Sequence, residues 1–258
     1  MSAVLTAAAD LRRLVVRDLR RELRILDGLI MNAVLPVVIM VLFVYVFGGA
    51  IDTGSSALAY IDFVVPAVLL MSGGYGAALT AAAIAEDMTG GMIDRFRTLP
   101  ISGWTVPAGH VVASLVRNGA ASGIALLAAV LLGFRPDASL ADWGLTLALL
   151  AGYILAVSSA AVLWGLLVKS VQAAGAFSFL VLFLPYLSDG FVPAETMPRA
   201  LRGFAENQPI TPIVEALRSL LLDQPMGSAG TVAAAWLTGA VLISVPTAAL
   251  LFRHRTST

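Results

Sequence analysis

Long apolar stretches alternate with short polar segments along most of this chain. An α-helix rises about 1.5 Å per residue, so about 20 mostly apolar residues are needed to cross a hydrocarbon core about 30 Å thick. The pattern predicts an all-α membrane protein with six transmembrane helices, all within one membrane domain at residues 28–258. The predicted spans are residues 29–47, 60–84, 108–133, 145–168, 173–187 and 231–252.

Proline and glycine interrupt two of these spans. Pro36 lies inside the first span. Because proline removes a backbone hydrogen bond and clashes with the preceding turn, this span is predicted to be a bent helix. The second span contains Pro66 and the adjacent pair Gly73 and Gly74. The fifth span is short for a full crossing.

The composition supports a membrane location and narrows the chemistry. Hydrophobic residues make up 59% of the chain and the mean hydropathy is +0.91, whereas soluble domains are about 45–50% apolar. The formal net charge is zero, which argues against a nucleic-acid partner because such a domain would be basic. The chain has no cysteine, so it has no disulfide, thiolate nucleophile or cysteine-based metal site.

The basic residues predict the orientation, since short cytoplasmic segments carry the excess of positive charge. One side of the predicted topology has Arg135 in its short connections and three arginines, at 199, 202 and 218, in one long segment. The other side is richer in basic residues and is therefore predicted to be cytoplasmic. This places both termini in the cytoplasm and the chain in the inner (plasma) membrane. The basic residues on that side are Arg12, Arg13, Arg17, Arg20, Arg21, Arg24, Arg95, Arg97, Lys169, Arg253 and Arg255.

The N-terminal segment, residues 1–27, has the pattern of an amphipathic helix. On a helical wheel most of its arginines fall within one arc and its leucines fall on the other side. Such a helix lies in the membrane plane, and each arginine gains about 1 kcal/mol from anionic lipid headgroups. Two interpretations stay open: a basic flank that only sets the topology, or a structural elbow that also contacts a partner protein.

The long segment between the fifth and sixth spans predicts two short helices, at residues 198–205 and 212–222. Thr211 fits an N-cap, with Pro212 at the first helical position, where the missing N–H costs nothing. Irregular backbone at membrane depth is tolerated only against protein or a wet cavity. The segment is therefore expected at the outer surface, either lying on it or dipping into the membrane.

The residues give no indication of catalytic chemistry. Glu86 and Asp87 could in principle act as acid and base or hold a metal, but His110 and His254 are not expected to cluster with carboxylates. The one Lys-Ser pair, at Lys169, lacks the glycines of a phosphate-binding loop. We therefore expect no enzyme activity, cofactor or metal in this chain. Any ATP would be bound by another chain.

The charged stretch "AEDMTGGMIDRFRTLPISGW", residues 85–104, lies between the second and third spans. A double-glycine break precedes "MIDRFRTLP", a short helix candidate that ends at Pro100. Its apolar side chains are spaced to form one face, with charged side chains around it. The stretch predicts a compact amphipathic knob, and the alternative is an ordinary solvated loop. The apolar face is Met92, Ile93 and Phe96, and the surrounding charges are Asp94, Arg95 and Arg97.

These residues resemble the ABC-2 type permeases, in particular the daunorubicin-resistance type. "EDMTGGMIDRFRTLPISGW" is similar to the family loop that precedes the third membrane helix, although the basic residue that usually follows is replaced by the nearby His110. "FGGAI", residues 47–51, is similar to the family's first outer loop. "FVPAETMPRALRGFAENQPITPIVEALRSLL", residues 191–222, is similar to its outer segment with a late arginine. The order of the motifs covers nearly the whole chain.

The resemblance implies the membrane subunit of an ATP-driven exporter. The charged stretch would be a coupling helix that docks on a separate ATP-binding subunit, present in two copies and holding ATP and Mg, beside a second copy of the permease or a related permease. The cargo would be an amphipathic drug, antibiotic or lipid-like molecule. The implied docking contacts are Glu86, Asp87, Met92, Ile93, Asp94, Arg95, Phe96 and Arg97. Candidates for the cargo path are Phe43, Tyr45, Phe63, Tyr75, Phe177 and Phe179.

The third span carries the features that bear on an alternative function. Gly119 and Gly123 lie four residues apart, which predicts close packing against another helix. Arg117 is the best intramembrane ionisable candidate for an ATP-independent transporter or channel. Its position near the inner end of the span allows its charged group to reach the interface instead. The sequence therefore favours the ATP-linked interpretation.

Overall fold

The computed structural model describes residues 15–16, 26–48, 59–90 and 105–257. Within these ranges every regular element is helical, which confirms the all-helical prediction. Most of the N-terminal amphipathic segment lies outside the described residues, and so do the first outer connection and the stretch from residue 91 to residue 104.

Ten α-helices form the described part of the fold. A π-helical turn, Phe43–Phe47, extends α1, and a 3₁₀ turn, Ala194–Thr196, precedes α8. The helices are α1 Leu26–Leu42, α2 Tyr60–Tyr75, α3 Ala77–Thr89, α4 Thr105–Leu131, α5 Leu140–Leu167, α6 Val171–Gly175, α7 Phe177–Tyr186, α8 Arg199–Asn207, α9 Ile210–Leu221 and α10 Ala229–Ser257.

Four helical segments are long and apolar enough to cross a membrane: Tyr60–Thr89, which joins α2 and α3, Thr105–Leu131, Leu140–Leu167 and Ala229–Arg255. They coincide with the second, third, fourth and sixth predicted spans. The first and fifth predicted spans coincide with shorter apolar segments. The count of six crossings stays a prediction.

The second predicted span lies at the centre of the bundle. In its most apolar 18-residue segment 78% is buried, whereas in the corresponding segment of α10 only 22% is buried. Helix α2 is apolar on nearly every side, and such a helix is stable only when other helices surround it. It packs against α1, α4, α5, α7 and α9. Helix α10 lies at the edge and exposes Leu242, Ile243 and Leu250.

Glycines allow close approach to this central helix. A Cβ atom at Gly74 would lie 2.6 Å from the hydroxyl oxygen of Tyr153 on α5 and 2.5 Å from Val181 on α7. The helix breaks at Gly76, where α2 ends and α3 begins. On α5, a Cβ atom at Gly165 would lie 2.5 Å from the carbonyl oxygen of Ala81. The absence of side chains at these positions therefore sets the spacing between the helices.

The first helix is continuous through Pro36. Its hydrogen bonding then widens from α to π over Phe43–Phe47, a rare turn that accommodates one extra residue in a helix. The bend predicted at Pro36 stays a prediction.

The outer helices exist, but the predicted start of the second one is wrong. Helix α9 begins at Ile210, with Pro209 before it, so Thr211 is not the N-cap. The Thr211 hydroxyl instead donates a 2.5 Å hydrogen bond to the carbonyl oxygen of Ala205 in α8. This bond ties the two helices together, and tertiary pairing has replaced the local cap that the sequence pattern favoured.

The connections predicted to lie on the same side meet at one end of the bundle. The Asp137 amide donates a 2.9 Å hydrogen bond to the carbonyl oxygen of Leu221. The Tyr60 hydroxyl donates a 2.8 Å bond to the carbonyl oxygen of Phe191. At the opposite end an apolar cluster joins residues near the ends of α3, α5 and α10, including Ile84, Leu166 and Phe252. These contacts place the start of α2 and the connections after α4, α7 and α9 at one end of the bundle. The side of the membrane that this end faces stays a prediction.

The close packing predicted for Gly119 and Gly123 is wrong within this chain. No atom lies within 4 Å of the positions that their Cβ atoms would occupy. The neighbouring Val116, Ile124 and Leu127 are exposed. The small-residue face of α4 therefore points away from the bundle, because its polar face is the one turned inward.

Candidate functional site

Two antiparallel helices hold the charged stretch at one end of the bundle. Helix α3 ends at Thr89, where the Gly90 amide donates a 2.8 Å bond to the carbonyl oxygen of Glu86. Helix α4 begins at Thr105. The end of α3 and the start of α4, which flank residues 91–104, therefore lie at the same end of the bundle. Six of the eight predicted docking residues, Met92, Ile93, Asp94, Arg95, Phe96 and Arg97, lie outside the described residues.

The structure places the other two docking candidates differently. The Glu86 side chain is exposed at the end of α3, whereas the Asp87 side chain is only 2% exposed. Asp87 Oδ2 lies 3.0 Å from His110 Nε2 on α4, and His110 is 5% exposed. The expectation that no histidine clusters with carboxylates is therefore wrong. Sequence reasoning missed this pair because 23 residues separate the two side chains and their contact depends on how α3 and α4 pack.

Arg117 turns inward rather than toward the membrane surface. Its side chain is 5% exposed. A terminal guanidinium nitrogen donates a 2.7 Å hydrogen bond to the carbonyl oxygen of Gly76 and a 2.9 Å hydrogen bond to Thr80 Oγ1. The sequence allowed its charged group to reach the interface, but the structure holds it inside the bundle. A break in the central helix and a threonine on the facing helix supply the oxygens that water would otherwise provide.

Asparagine and serine side chains extend this contact to other helices. Asn118 donates a 2.9 Å hydrogen bond to Ser114 Oγ and accepts a 3.1 Å hydrogen bond from Asn32 Nδ2 on α1. Ser114 Oγ lies 2.8 Å from Ser158 Oγ on α5. Together these groups form a polar core that joins four helices, α1, α3, α4 and α5, to the break between α2 and α3. The polar core comprises Asn32, Gly76, Thr80, Ser114, Arg117, Asn118 and Ser158.

The polar core fixes how the helices are rotated against one another. Hydrogen bonds between membrane helices contribute about 0.6 kcal/mol on average, and up to about 1.7 kcal/mol. Rotating α4 by one residue would bury its arginine and asparagine against apolar side chains, which is costly in hydrocarbon. The arrangement has no nucleophile–base pair, and no group of three or more metal-ligating side chains occurs among the residues that the structure describes. It suits a mechanical role rather than catalysis.

Comparison with known proteins agrees with these features. Residues 9–222 match the family described as ABC-2 type transporter. The chain belongs to the ABC-2 type transporter family. It is similar to the daunorubicin resistance ABC transporter permease protein DrrB1 of Streptomyces coeruleorubidus, with 29% identity over 214 residues that cover 81% of this chain and 70% of the relative. The resemblance stated from the sequence is confirmed, and this protein is a multi-pass membrane permease.

The aromatic residues that the sequence suggested for a cargo path divide into packed and exposed groups. Phe63 and Phe177 are buried within this permease, at 5% and 7% exposure, and Phe43 packs on Phe191 with ring centroids 4.8 Å apart. Tyr45 and Phe179 are exposed, at 66% and 65%. Tyr75, the sixth candidate, is half-buried near the break at Gly76.

An arginine that the site prediction did not include holds the end of the bundle opposite the charged stretch, which is predicted to be the outer end. Arg218 Nη1 donates 3.0 Å to Asp189 Oδ2, and Nη2 donates 3.2 Å to the carbonyl oxygen of Phe63. The guanidinium also lies 4.0 Å from the centroid of the Phe63 ring. The sequence feature that could have identified Arg218 is the late arginine of the family's outer segment, at residues 191–222. Arg218 therefore links α9 to α2 and to the loop after α7.

Burial shifts the pKa values of two charged side chains at this end, Arg218 and Glu215, both of which lie outside the predicted spans. Burial lowers the pKa of Arg218, and the Asp189 carboxylate opposes that shift. Burial and the nearby charge of Asp189 raise the pKa of Glu215, against the attraction of Arg218. Glu215 and Trp236 line a cavity of about 580 Å³ at this end of the bundle. The raised pKa means that the folded protein binds the Glu215 proton more tightly than the unfolded chain does.

Proposed function

We propose that this permease is the membrane subunit of an ATP-driven ABC exporter in the inner membrane. It works with two copies of a separate subunit that binds ATP and Mg, and with a second copy of itself or a related permease, surrounded by membrane lipid. Family membership supports the ATP-linked part of this proposal. The relative's name, which refers to daunorubicin resistance, supports an amphipathic drug, antibiotic or lipid-like cargo.

The observation that carries the proposal is the contact between Asp87 and His110 at the base of the charged stretch. It joins the end of α3 to the beginning of α4, the two helices that hold the stretch. A force applied to the stretch by a docked subunit would therefore move both helices together. An ordinary solvated loop has no need of a buried contact of this kind between its two anchors.

The polar core supplies a route from the docking site to the centre of the bundle. Arg117 on α4 contacts Gly76 at the break between α2 and α3. A shift of α3 and α4 relative to α2 changes this contact and thereby the angle at the break. Packed interfaces have a few discrete arrangements rather than a continuous range, so a small displacement at one end is converted into a helix movement. We assign the exchange between inward-open and outward-open states to this joint.

Docking contacts are assigned to the exposed end of α3 and to the stretch that follows. Glu86 and the charges at Asp94, Arg95 and Arg97 would surround an apolar face of Met92, Ile93 and Phe96. Asp87 has a separate role in this proposal, because its buried carboxylate positions the base of the stretch through His110.

The cargo path is assigned to the exposed aromatic side chains. Tyr45 and Phe179 are available to line a passage between this permease and its partner permease. Phe63 and Phe177 pack inside the single chain, and their described contacts are with Arg218 and Trp164 respectively. Substituting Tyr45 or Phe179 is expected to change cargo selectivity without reducing the stability of the permease.

The test of the proposed function is the substitution Phe96→Ala. Truncating an apolar anchor at the centre of an interface costs about 2 kcal/mol or more. The variant should co-purify less of the ATP-binding subunit and lose cargo-stimulated ATP hydrolysis. Charge reversal at Asp94 should have an intermediate effect, because rim charges contribute less.

The matched control is Arg135→Ala at the opposite end, where Arg135 donates 2.9 Å to the carbonyl oxygen of Val130. It should leave subunit binding and coupling unchanged. All variants are compared at equal levels of membrane insertion. Full ATPase binding and full coupling in the Phe96→Ala variant would show that the stretch is only a solvated loop.

A second candidate function is ATP-independent secondary transport. The buried pair Asp87–His110 and the buried Arg117 favour it, because ionisable groups inside a membrane bundle mark ion or proton pathways in many transporters. Inside-out vesicles distinguish the two functions. Cargo uptake that requires ATP and the partner subunit, and that persists without a proton gradient, supports the exporter. Uptake driven by the gradient alone supports the second candidate.

A further inference from the structure

A lateral crevice separates α4, α5 and α10 at the end of the bundle that holds the charged stretch. Its volume is about 260 Å³. The walls are apolar side chains of proline, alanine, valine and leucine. Leu155 and Val245 on the walls are 36% and 46% exposed, so the crevice opens sideways. The wall residues used below are Pro107 and Val111 of α4, Leu155 and Val162 of α5, and Val245 and Ala248 of α10.

One polar side chain, Ser159 of α5, lines this crevice. It is 2% exposed, and its hydroxyl oxygen has no hydrogen-bond partner. Buried serines elsewhere in the same bundle behave differently. The Ser72 hydroxyl donates 2.9 Å to the carbonyl oxygen of Val68, and the Ser244 hydroxyl donates 2.6 Å to that of Ala240. Other buried serines bond to a neighbouring helix, as Ser122 does to the carbonyl oxygen of Leu69. Ser159 follows neither arrangement.

We propose that the crevice binds a neutral, mainly aliphatic molecule that carries one hydroxyl or carbonyl oxygen, and that Ser159 hydrogen-bonds this oxygen. The cavity is smaller than the roughly 300–1,000 Å³ of sites for drug-sized ligands, so it holds one chain or one ring system. The lining residues that the structure describes include no charged or aromatic side chain. A charged or flat aromatic ligand would therefore find no complementary group here.

The depth of Ser159 separates this ligand from an ordinary phospholipid. Ser159 lies eight residues before Leu167, the last residue of α5. At about 1.5 Å per residue it is about 12 Å from the helix end. The ester groups of a phospholipid stay at the interface, so a phospholipid could place a chain in the crevice but could not satisfy the hydroxyl. The ligand enters from the hydrocarbon with its oxygen buried.

This site goes beyond the proposed function, because its occupation requires neither ATP nor a partner subunit. The experiment uses the full-length permease in phosphatidylcholine nanodiscs and two photoreactive probes. One probe is a long-chain alkanol with a diazirine, and the other is the alkane of equal length with the same diazirine. Labelled positions are mapped by mass spectrometry of peptides. The alkanol should label the crevice walls, including Val111, Leu155 and Val245.

Three variants define the site. Ser159→Ala should reduce alkanol labelling about tenfold, the loss expected for one hydrogen bond, and leave alkane labelling unchanged. Ser159→Thr keeps a hydroxyl and should retain labelling by the alkanol. Ala248→Leu fills the crevice and should abolish labelling by both probes. The matched control, Ser244→Ala, removes a serine that already has an internal partner and should change neither.

Each outcome decides the proposal. Equal labelling by alkanol and alkane, with no effect of Ser159→Ala, would mean that lipid chains fill a plain apolar void, and it would overturn the proposal. Labelling that persists in Ala248→Leu would place the site elsewhere. Should Ser159→Ala fail to insert, the comparison of Ser159→Thr with Ala248→Leu still tests the site. Loss of subunit coupling in the Phe96→Ala experiment leaves these results untouched, so the two proposals fail independently.

Discussion

Arg117 donates a 2.7 Å hydrogen bond to the backbone carbonyl oxygen of Gly76, the residue at which the central helix of the bundle breaks. The bond joins the helix that follows the charged stretch to the joint of the helix that precedes it. A side chain that could have reached water is instead held inside the protein. The predictions below test this relationship and the contacts around it.

Gly76→Ala should destabilise the permease. The added Cβ atom would overlap Asn118 Oδ1, which Asn32 and Ser114 hold in place, so the polar core must shift. Overpacking of this kind costs about 1–3 kcal/mol. Thermal unfolding in detergent should show a lower Tm. Gly119→Ala is the control, since its Cβ would meet open space, and alanine is the better helix former. Equal Tm values for the two variants would contradict the prediction.

Asp87→Ala should lower both stability and coupling. It leaves the buried His110 without the carboxylate that lies 3.0 Å away, and an unsatisfied buried partner costs about 1–3 kcal/mol. Asp87→Asn keeps an acceptor oxygen and should recover most of the lost Tm. Glu86→Ala removes the adjacent exposed carboxylate and should lower Tm less than Asp87→Ala, because exposed charges contribute little to stability. If Glu86→Ala lowers Tm as much as Asp87→Ala, the buried pair is not what joins α3 to α4.

The two ion pairs at the outer end should differ in their contributions. Arg218 and Asp189 are 10% and 19% exposed, whereas Arg202 and Glu206 are 45% and 46% exposed, although both pairs are 3.0 Å or closer. Arg218→Met leaves Asp189 uncompensated and should cost about 3–5 kcal/mol. Arg202→Met should leave the Tm unchanged, because exposed pairs are screened by water. Thermal unfolding curves of the two variants measured under the same conditions test this prediction. Equal decreases in Tm for Arg218→Met and Arg202→Met would refute it.

The stability difference between the wild type and Glu215→Gln should depend on pH. The folded-state pKa of Glu215 lies above its ordinary value of 4.5, so the folded protein binds this proton more tightly than the unfolded chain. The stabilisation is complete below pH 4.5 and is lost as pH rises through the raised pKa. Glu215→Gln removes this dependence. Its Tm relative to the wild type should therefore rise from pH 4.5 to pH 8. If the Tm of the wild type instead rises relative to that of the variant over this pH interval, the pKa of Glu215 is lowered on folding and the prediction is wrong.

The absence of native cysteine allows a direct test of the orientation. Single cysteines at Ser55, Ser139 and Ser228 should react with an impermeant thiol reagent added to intact cells. Cysteines at Ser2 and Ser257 should react only after the membrane is opened. Reaction at Ser257 from outside would overturn the prediction that the C-terminus is cytoplasmic.

The location of the site could be predicted from the sequence, but the contacts within it could not. The position of the charged stretch between two long helices, and the family it resembles, could be derived from residues 85–104. The partner of Asp87 could not, because 23 residues separate it from His110 and the contact depends on how two helices pack. Arg117 was recognised as unusual, but its inward direction required the break at Gly76 and the facing Thr80. Ser159 gave no sequence signal, since its adjacent neighbour Ser158 has the same side chain and belongs to the polar core.

The sequence by itself determined that the chain is helical, that it lies in a membrane and where its long helices run. These properties follow from the length and hydropathy of each segment, which are local quantities. Only the tertiary structure decided which polar groups meet. Helices that are apolar on nearly every side have no periodic pattern that specifies their rotation or their neighbours. Those choices depend on close packing at glycines such as Gly74 and Gly165, and on hydrogen bonds between polar side chains of different helices, as between Asn32 and Asn118.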